Sequence, residues 1–385
     1  MGRRPVGDDP LGRGEAAALA DLRSLVGGRD IPAAPTETAF RDEARPLARL
    51  DDERGAVAGL AIRGSGLDAL PGGIGTLARL RVLLLGGNQL AELPASIGDL
   101  SALEELDLDG NRLASLPGSI GRLAGLRRLG LRRNRLASIP EPVWRLTGLR
   151  SLDLGENALS AVPDAIGRLS ALTRLFLDGN GLAAAPEAIG SLTRLTTLDL
   201  GHNRLASVPD GIGGLRELEV LYLSDNRLRS LPPAVGALPR LAYLGITDNQ
   251  LEELPEPVTG LEALVELRAY GNGMRRLPRG IGRLRRLREL HLRDNRLEAL
   301  PDEIGRLSEL RHLDLRNNRL TSLTGAVSGL GRLRVLDLRA NRLTSLPEGL
   351  SRMSWLEKLD LRWNRMVEVP EPALRLRRAG CVVLF

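Results

Sequence analysis

A single cysteine, Cys381, stands in 385 residues, so no internal disulfide framework can form. Aromatic residues make up only 2%, three each of Trp, Tyr and Phe, too few to fill a core of this size. Leucine has to supply it instead. Histidine is equally sparse, at three residues, which narrows where imidazole chemistry can sit. Lysine occurs once, at Lys358, among 54 basic side chains, a bias in keeping with a chain rich in Ala and Gly. No run of 18 apolar residues is present, which excludes a membrane-spanning helix. The first six residues lack the apolar stretch of a secretory signal, and Val6 occupies the place where a myristoylation signal needs Ser or Thr. The phosphate-binding pattern GxxxxGK[ST] is missing too, and the 44 glycines recur with a period rather than in one loop. These lacks, with a formal charge of +6 that is modest for the length, predict a cytoplasmic protein without a cofactor.

What the chain does have is repetition. An Asn recurs every 23 residues from Asn88 through Asn111, Asn134 and onward to Asn364, with no insertion or deletion between copies. One period earlier, Ser65 takes the same place, which makes 14 repeats. A Pro follows at a fixed offset in each unit, from Pro71 to Pro370, except where Thr324 replaces it.

The unit that starts at Leu103 shows the physics. In Leu103-x-x-Leu106-x-Leu108 the apolar residues alternate, so Leu106 and Leu108 face inward while Glu105, Asp107 and Asp109 face out. Asn111 ends the strand, where an amide side chain can bond turning backbone. Stacked copies would then form a ladder of amides. Leu113, Leu116, Ile120 and Leu123 fill the interior on the return path, which Pro117 and Gly121 shape into short helical turns. No copy can bury its apolar face alone, so stability has to come from stacking. Strands about 4.8 Å apart beside turns that need about 8–10 Å predict a bent array with the sheet on its concave side.

The pattern LxxLxLxxNxLxxLPxxIGxLxxL, over residues 57–376, resembles the leucine-rich repeat superfamily. Its 23-residue LPxxIG form is similar to the intracellular class that includes Ras-group scaffolds and the repeat arms of Roco-type GTPases. The resemblance implies a right-handed α/β solenoid, or horseshoe, with a parallel sheet on the concave face and helical or 3-10 turns on the convex one. It implies a non-catalytic signalling or scaffold role, with a small GTPase among the candidate partners.

Around the repeats of residues 57–370, the ends read as caps. Residues 1–14 are expected to be disordered, and 15–56 to form an N-terminal cap. Within that cap, residues 15–26 read as a helix with Leu19, Leu22 and Leu25 or Val26 on one face and Gly27-Gly28 as its stop. Pro32 and Pro35 mark a loop, and 46–50 a strand beside the first repeat. At the far end, 371–378 reads as a helix broken by Gly380, and the last five residues as a fifteenth strand. Adding 23 to Leu359 and Leu361 puts Val382 and Leu384 in their register. Nothing activating lies near Cys381, so it reads as a cap residue rather than a redox or catalytic thiol.

The outward columns carry the functional information. The middle column is Asp in six repeats, but four consecutive units break the rule with Tyr222, Gly245, Arg268 and His291. The flanking columns add Tyr243, Tyr270 and His312, so all three Tyr and two of three His fall on the concave side of repeats 8–12. Arg293 and Arg316 accompany them, with Phe176 and His202 nearby in repeats 6 and 7. Aromatics beside Arg have the composition of protein-interface hot spots. Exposed strand positions also favour aromatics for cross-strand packing, although repeats on either side do without them. We therefore expect these ten residues to bind a protein partner.

Alternative readings need other features. His291 should face Asp314 across adjacent strands, with His312 on the diagonal at about 7–8 Å. Yet no Ser, Thr or Cys nucleophile faces the pair, and a metal site there would lack the tight spacing of strong motifs. Acidic side chains dominate the columns of repeats 3–7, whereas Asp and Arg alternate in repeats 11–14, where they can neutralise each other. Seven arginines within 274–290 suggest phosphate affinity, but they lie mostly on the convex side without interleaved aromatics. Nucleic acid is accordingly not expected. A structural spacer with no partner is the remaining alternative.

Overall fold

The computed structural model describes residues 13–25, 31–33, 40–41, 46–50 and 56–385. The expected disorder of 1–14 lies almost wholly outside this set, as do the Gly27-Gly28 stop and Pro35. Sixteen strands take their places in one sheet in sequence order. β1 (Leu47–Leu50) runs antiparallel to β2 (Val57–Ala61). β3 (Val82–Leu84) to β15 (Lys358–Asp360) are three-residue strands spaced 23 residues apart, and β16 is Val382–Leu384. Contacts divide the chain into two compact units, Met1–Leu182 and Ala183–Phe385. Within each unit, successive strands after β2 pair in parallel.

Each repeat is built the same way. In β4 (Glu105–Asp107), Leu106 is fully buried while Glu105 and Asp107 are half-exposed, as alternation requires. The return path is a five-residue 3-10 turn such as Gly118–Arg122, entered from Pro117 at φ −67° and ψ 145°. Proline supplies that extended entry without a side-chain cap. Thr324 reaches the same geometry differently: its hydroxyl accepts the Ala326 N–H at 3.2 Å.

The amide ladder is present. Asn111 Nδ2 donates to Leu108 O at 2.9 Å and to Leu85 O of the previous repeat at 3.1 Å. Its Oδ1 accepts the Leu90 N–H at 3.1 Å. Ser65 cannot repeat this, and its backbone N–H instead donates to Asn88 Oδ1 at 2.9 Å. The residue before the Asn is left-handed in each repeat from Gly87 to Trp363.

The second unit explains the LPxxIG glycine. A Cβ added at Gly305 would come within 2.3 Å of Ala326 O in the next turn. The missing side chain lets neighbouring turns approach backbone to backbone. Trp144 takes this position in its own repeat, and there the indole is buried.

Both ends differ from a plain continuation. α1 (Arg13–Leu25) buries Ala18, Leu19 and Leu22, while Leu25 is exposed. Thr76 Oγ1 in the first 3-10 turn donates to Gly14 O at 3.0 Å, so the helix extends the row of turns. Phe40 does something the sequence reading did not foresee. It is buried with Leu47, Ala61, Val82 and Leu84, so the outward columns of the first two repeats are covered. Gly59 makes room, since a Cβ there would meet the Phe40 ring at 2.8 Å. Arg41 then holds Glu105 through two hydrogen bonds of 3.0 and 3.1 Å.

At the other end, α2 (Glu371–Arg378) buries Ala373 and Leu376, and Gly380 turns the chain at φ 99°. The register of β16 corrects the sequence expectation by one residue. Leu359 pairs with Val383, and Lys358 with Val382, an offset of 24 rather than 23. The α-helix replaces the tighter 3-10 return and carries one extra residue before the strand. Cys381 is buried there, and burial pushes its thiol up, the setting of a structural cysteine.

Candidate functional site

In the second unit, five neighbouring strands hold half of the expected site, Tyr222, Tyr243, Arg268, His291 and His312: β9 (Val220–Tyr222), β10 (Tyr243–Gly245), β11 (Glu266–Arg268), β12 (Glu289–His291) and β13 (His312–Asp314). Tyr270 and Arg293 follow two residues past the ends of β11 and β12. Their central Leu residues are buried and their flanking residues face the other way. The aligned registers follow from the constant period: Gly245 pairs with Tyr222 and Arg268, Arg268 with His291, and His291 with Asp314.

The aromatics converge. Tyr222 and Tyr243 stack in tilted fashion, with ring centroids 4.9 Å apart. Gly245 is the seat for this pair, because a Cβ there would meet Tyr243 Oη at 3.2 Å. The Arg268 guanidinium lies 5.8 Å from the Tyr243 ring, and that of Arg293 lies 4.2 Å from the Tyr270 ring. Such placements are cation–π contacts, worth about 0.5–1 kcal/mol at exposed sites. Arg268 Nε also donates to Glu266 Oε1 at 2.5 Å, which fixes its orientation. Burial raises the Tyr243 phenol to about 12, so it stays a neutral donor.

The histidines meet more closely than their diagonal position suggested. The rings of His291 and His312 lie edge to face, with centroids 5.0 Å apart. Side chains leaning across the pleat close the diagonal. His291 Nε2 lies 3.1 Å from Glu289 Oε2. The register places Asp314 opposite His291 as expected, yet the acid grouped with both imidazoles is Glu289, which pairs with His312. Burial, and secondarily the neighbouring His291, hold His312 below the ordinary histidine range.

Three expected residues stand outside this group. His202 sits in the left-handed turn position at φ 53°, exposed, with Nδ1 2.9 Å from Asp225 Oδ2. Arg316 donates its backbone N–H to Asp314 Oδ1 at 3.1 Å. Phe176 belongs to β7 (Arg174–Phe176) in the first unit. Glu266, Gly245 and Glu289 were missed as site residues, although reading the first outward column for acids beside His would have found Glu289.

The charged columns are internally paired. In the first unit, Arg132 donates to Asp178 through two bonds of 2.9 and 2.7 Å and to Glu156 at 2.6 Å. In the second, Arg339 lies 2.5 Å from Asp337 and 3.2 Å from Asp360, and Arg362 lies 2.7 Å from Asp360. These pairs favour mutual neutralisation. On the turn side, Arg279, Arg283, Arg285 and Arg286 line a shallow groove together with Glu262 and Glu303.

The leucine rich repeat model matches residues 57–113 and 285–343, and the leucine-rich repeat region model matches 118–204 and 203–295. A leucine-rich repeat protein of Leptospira interrogans superposes with a TM-score of 0.70 at 30% identity, covering 91% of this chain and 99% of that one. A plant peptide hormone receptor, RGFR1 in complex with RGF2, gives 0.67 at 28% identity; 86% of this chain spans 59% of the receptor chain. An internalin of Listeria monocytogenes shares the fold at 0.66 and 18% identity, covering 99% of this chain and 97% of its own. No curated protein matches the sequence. No helix among the described residues is long and apolar enough to cross a membrane. Matched along most of its repeats by the two family models taken together and, at 30% identity, across nearly all of the Leptospira protein, the chain belongs to the leucine-rich repeat family.

Proposed function

We propose that this chain is a non-catalytic recognition scaffold that binds a protein through the exposed sheet face of β9–β13. The observation that carries the reading is the Tyr222–Tyr243 stack with Arg268 beside it and Arg293 against Tyr270. Aromatic and Arg side chains dominate the energetics of protein interfaces, and these already contact one another in the free chain. Strand backbone places Tyr222, Tyr243 and Arg268, and Tyr270 and Arg293 follow two residues past the ends of β11 and β12, which lowers the ordering cost of binding. The plant receptor of the same family was solved with RGF2 bound, which supports a peptide or protein ligand here. A cytoplasmic scaffold role, with a small GTPase as one candidate partner, rests on the LPxxIG resemblance.

The test compares the wild-type chain with Tyr222→Ala/Tyr243→Ala/Tyr270→Ala as bait for proteins from its native cells. The expected outcome is loss of at least one specifically retained protein, with the circular dichroism spectrum unchanged. An identical set of captured proteins would remove the tyrosines from the binding face.

A further inference from the structure

Glu289, His291 and His312 form the one group of at least three potential metal-ligating side chains among the described residues. Each offers one ligand atom, and these atoms lie within 4.8 Å of one another. From these distances and donor types, we propose that Glu289, His291 and His312 bind one Zn2+ ion on the exposed sheet face.

The donor set selects the metal. Two imidazole nitrogens and one carboxylate oxygen suit zinc, whereas Ca2+ and Mg2+ require mostly oxygen donors. Ligand atoms around tetrahedral zinc stand about 3.4 Å apart, given bonds of about 2.0–2.1 Å. His291 Nε2 and Glu289 Oε2 already stand 3.1 Å apart. The remaining gap to His312 closes by side-chain rotation, since the imidazoles are in edge contact. The backbone is in position beforehand: Glu289 pairs with His312 across β12 and β13, and both histidines project from the same sheet face.

The surroundings favour a cation. Asp314 pairs with His291, which adds negative charge beside the group, while Asp337 beyond it is already paired with Arg339. The nearest guanidinium in register, Arg268, is directed to Glu266. Three protein ligands leave a fourth position open toward solvent, as in zinc sites that exchange a water for another donor. The exposed His202 belongs to no comparable group among the described residues, its Nδ1 standing 2.9 Å from Asp225 Oδ2.

The experiment uses the full chain without a histidine tag, stripped of metal by a chelator and titrated calorimetrically with ZnCl2. One Zn2+ per chain is expected, with Co2+ giving visible absorption bands of tetrahedral intensity at the same stoichiometry. His291→Ala, His312→Ala and Glu289→Gln should each weaken binding by more than about tenfold, at least as much as losing an outer-shell partner costs. His202→Ala and Cys381→Ser should bind as wild type does. Absence of stoichiometric uptake, or uptake unchanged in the His291→Ala/His312→Ala variant, overturns the proposal. Should either histidine variant fail to fold, Glu289→Gln decides alone, because it keeps shape at a half-exposed position. The result is independent of partner capture, so the two readings fail separately.

Discussion

Asp109 binds its proton more tightly than an ordinary carboxylate, for a local reason. Burial, followed by the nearby Asp107 charge, raises its carboxyl to about 7, against one backbone hydrogen bond from the Arg132 N–H at 2.7 Å. In the unfolded chain an Asp titrates near 3.9. Between about pH 4 and pH 7 the folded form therefore keeps a proton that the unfolded form has lost, so stability falls as pH rises through that window and levels off above it. Asp109→Asn keeps the acceptor for Arg132 and removes the titration. Its unfolding curve should coincide with wild type near pH 4 and lie above it near pH 8, by about 2 kcal/mol after allowing for partial exposure. Parallel melting profiles across that range would contradict the assignment. The same scale shows how uniform the turn is: Ala340 and Arg133 adopt φ of 52° and 54° where other repeats use glycine. Each non-glycine residue bears about 1–2 kcal/mol for that geometry, and the Asn that follows compensates.

At the scale of one repeat, the amide ladder is the central device. Asn226 donates to Leu200 O at 3.0 Å, Leu223 O at 3.1 Å and Ser224 O at 3.3 Å, and accepts the Leu205 N–H at 2.9 Å. It is 8% exposed, so water cannot replace these bonds. Asn226→Ala should cost about 1–3 kcal/mol, the penalty for stranding buried backbone groups. Urea denaturation of the variant against wild type measures this, and equal midpoints would refute the ladder. Packing between turns has its own rule, visible at Gly305 and at the Gly98 Cβ position 2.3 Å from Ser119 O. Proline opens most turns by geometry, and Thr324 opens one by a hydrogen bond.

On the scale of the molecule, stability accumulates by stacking, so an uncovered end is costly. In the second unit α2 and β16 cover the last repeat through Ala373, Leu376 and Cys381, all buried. Removing residues 371–385 would expose Leu359 and Leu361 and lower stability by at least about 2 kcal/mol, the value of one large buried side chain. A lower urea midpoint with increased aggregation is the expected result; an unchanged midpoint would show that the end needs no cover. Within the first unit, Phe40 and Arg41 do comparable work on the sheet face, over Gly59 and against Glu105. The ten expected site residues divide by the same logic. Those on adjacent strands of the second unit gather, while His202 turns aside to Asp225.

Period alone determined the repeat, the inward Leu columns, the amide ladder and the alignment of Tyr222, Tyr243 and Tyr270 on one sheet face, because a constant 23-residue step leaves each column a single register. Tertiary structure decided what the step cannot encode. Side-chain lean brought His291 onto His312 and chose Glu289 over Asp314. Phe40 closed outward columns that periodicity left open, and an α-helical return shifted β16 by one residue. Each depends on rotamers or on breaks in the repeat, where contacts in space, rather than spacing along the chain, set the lowest free energy.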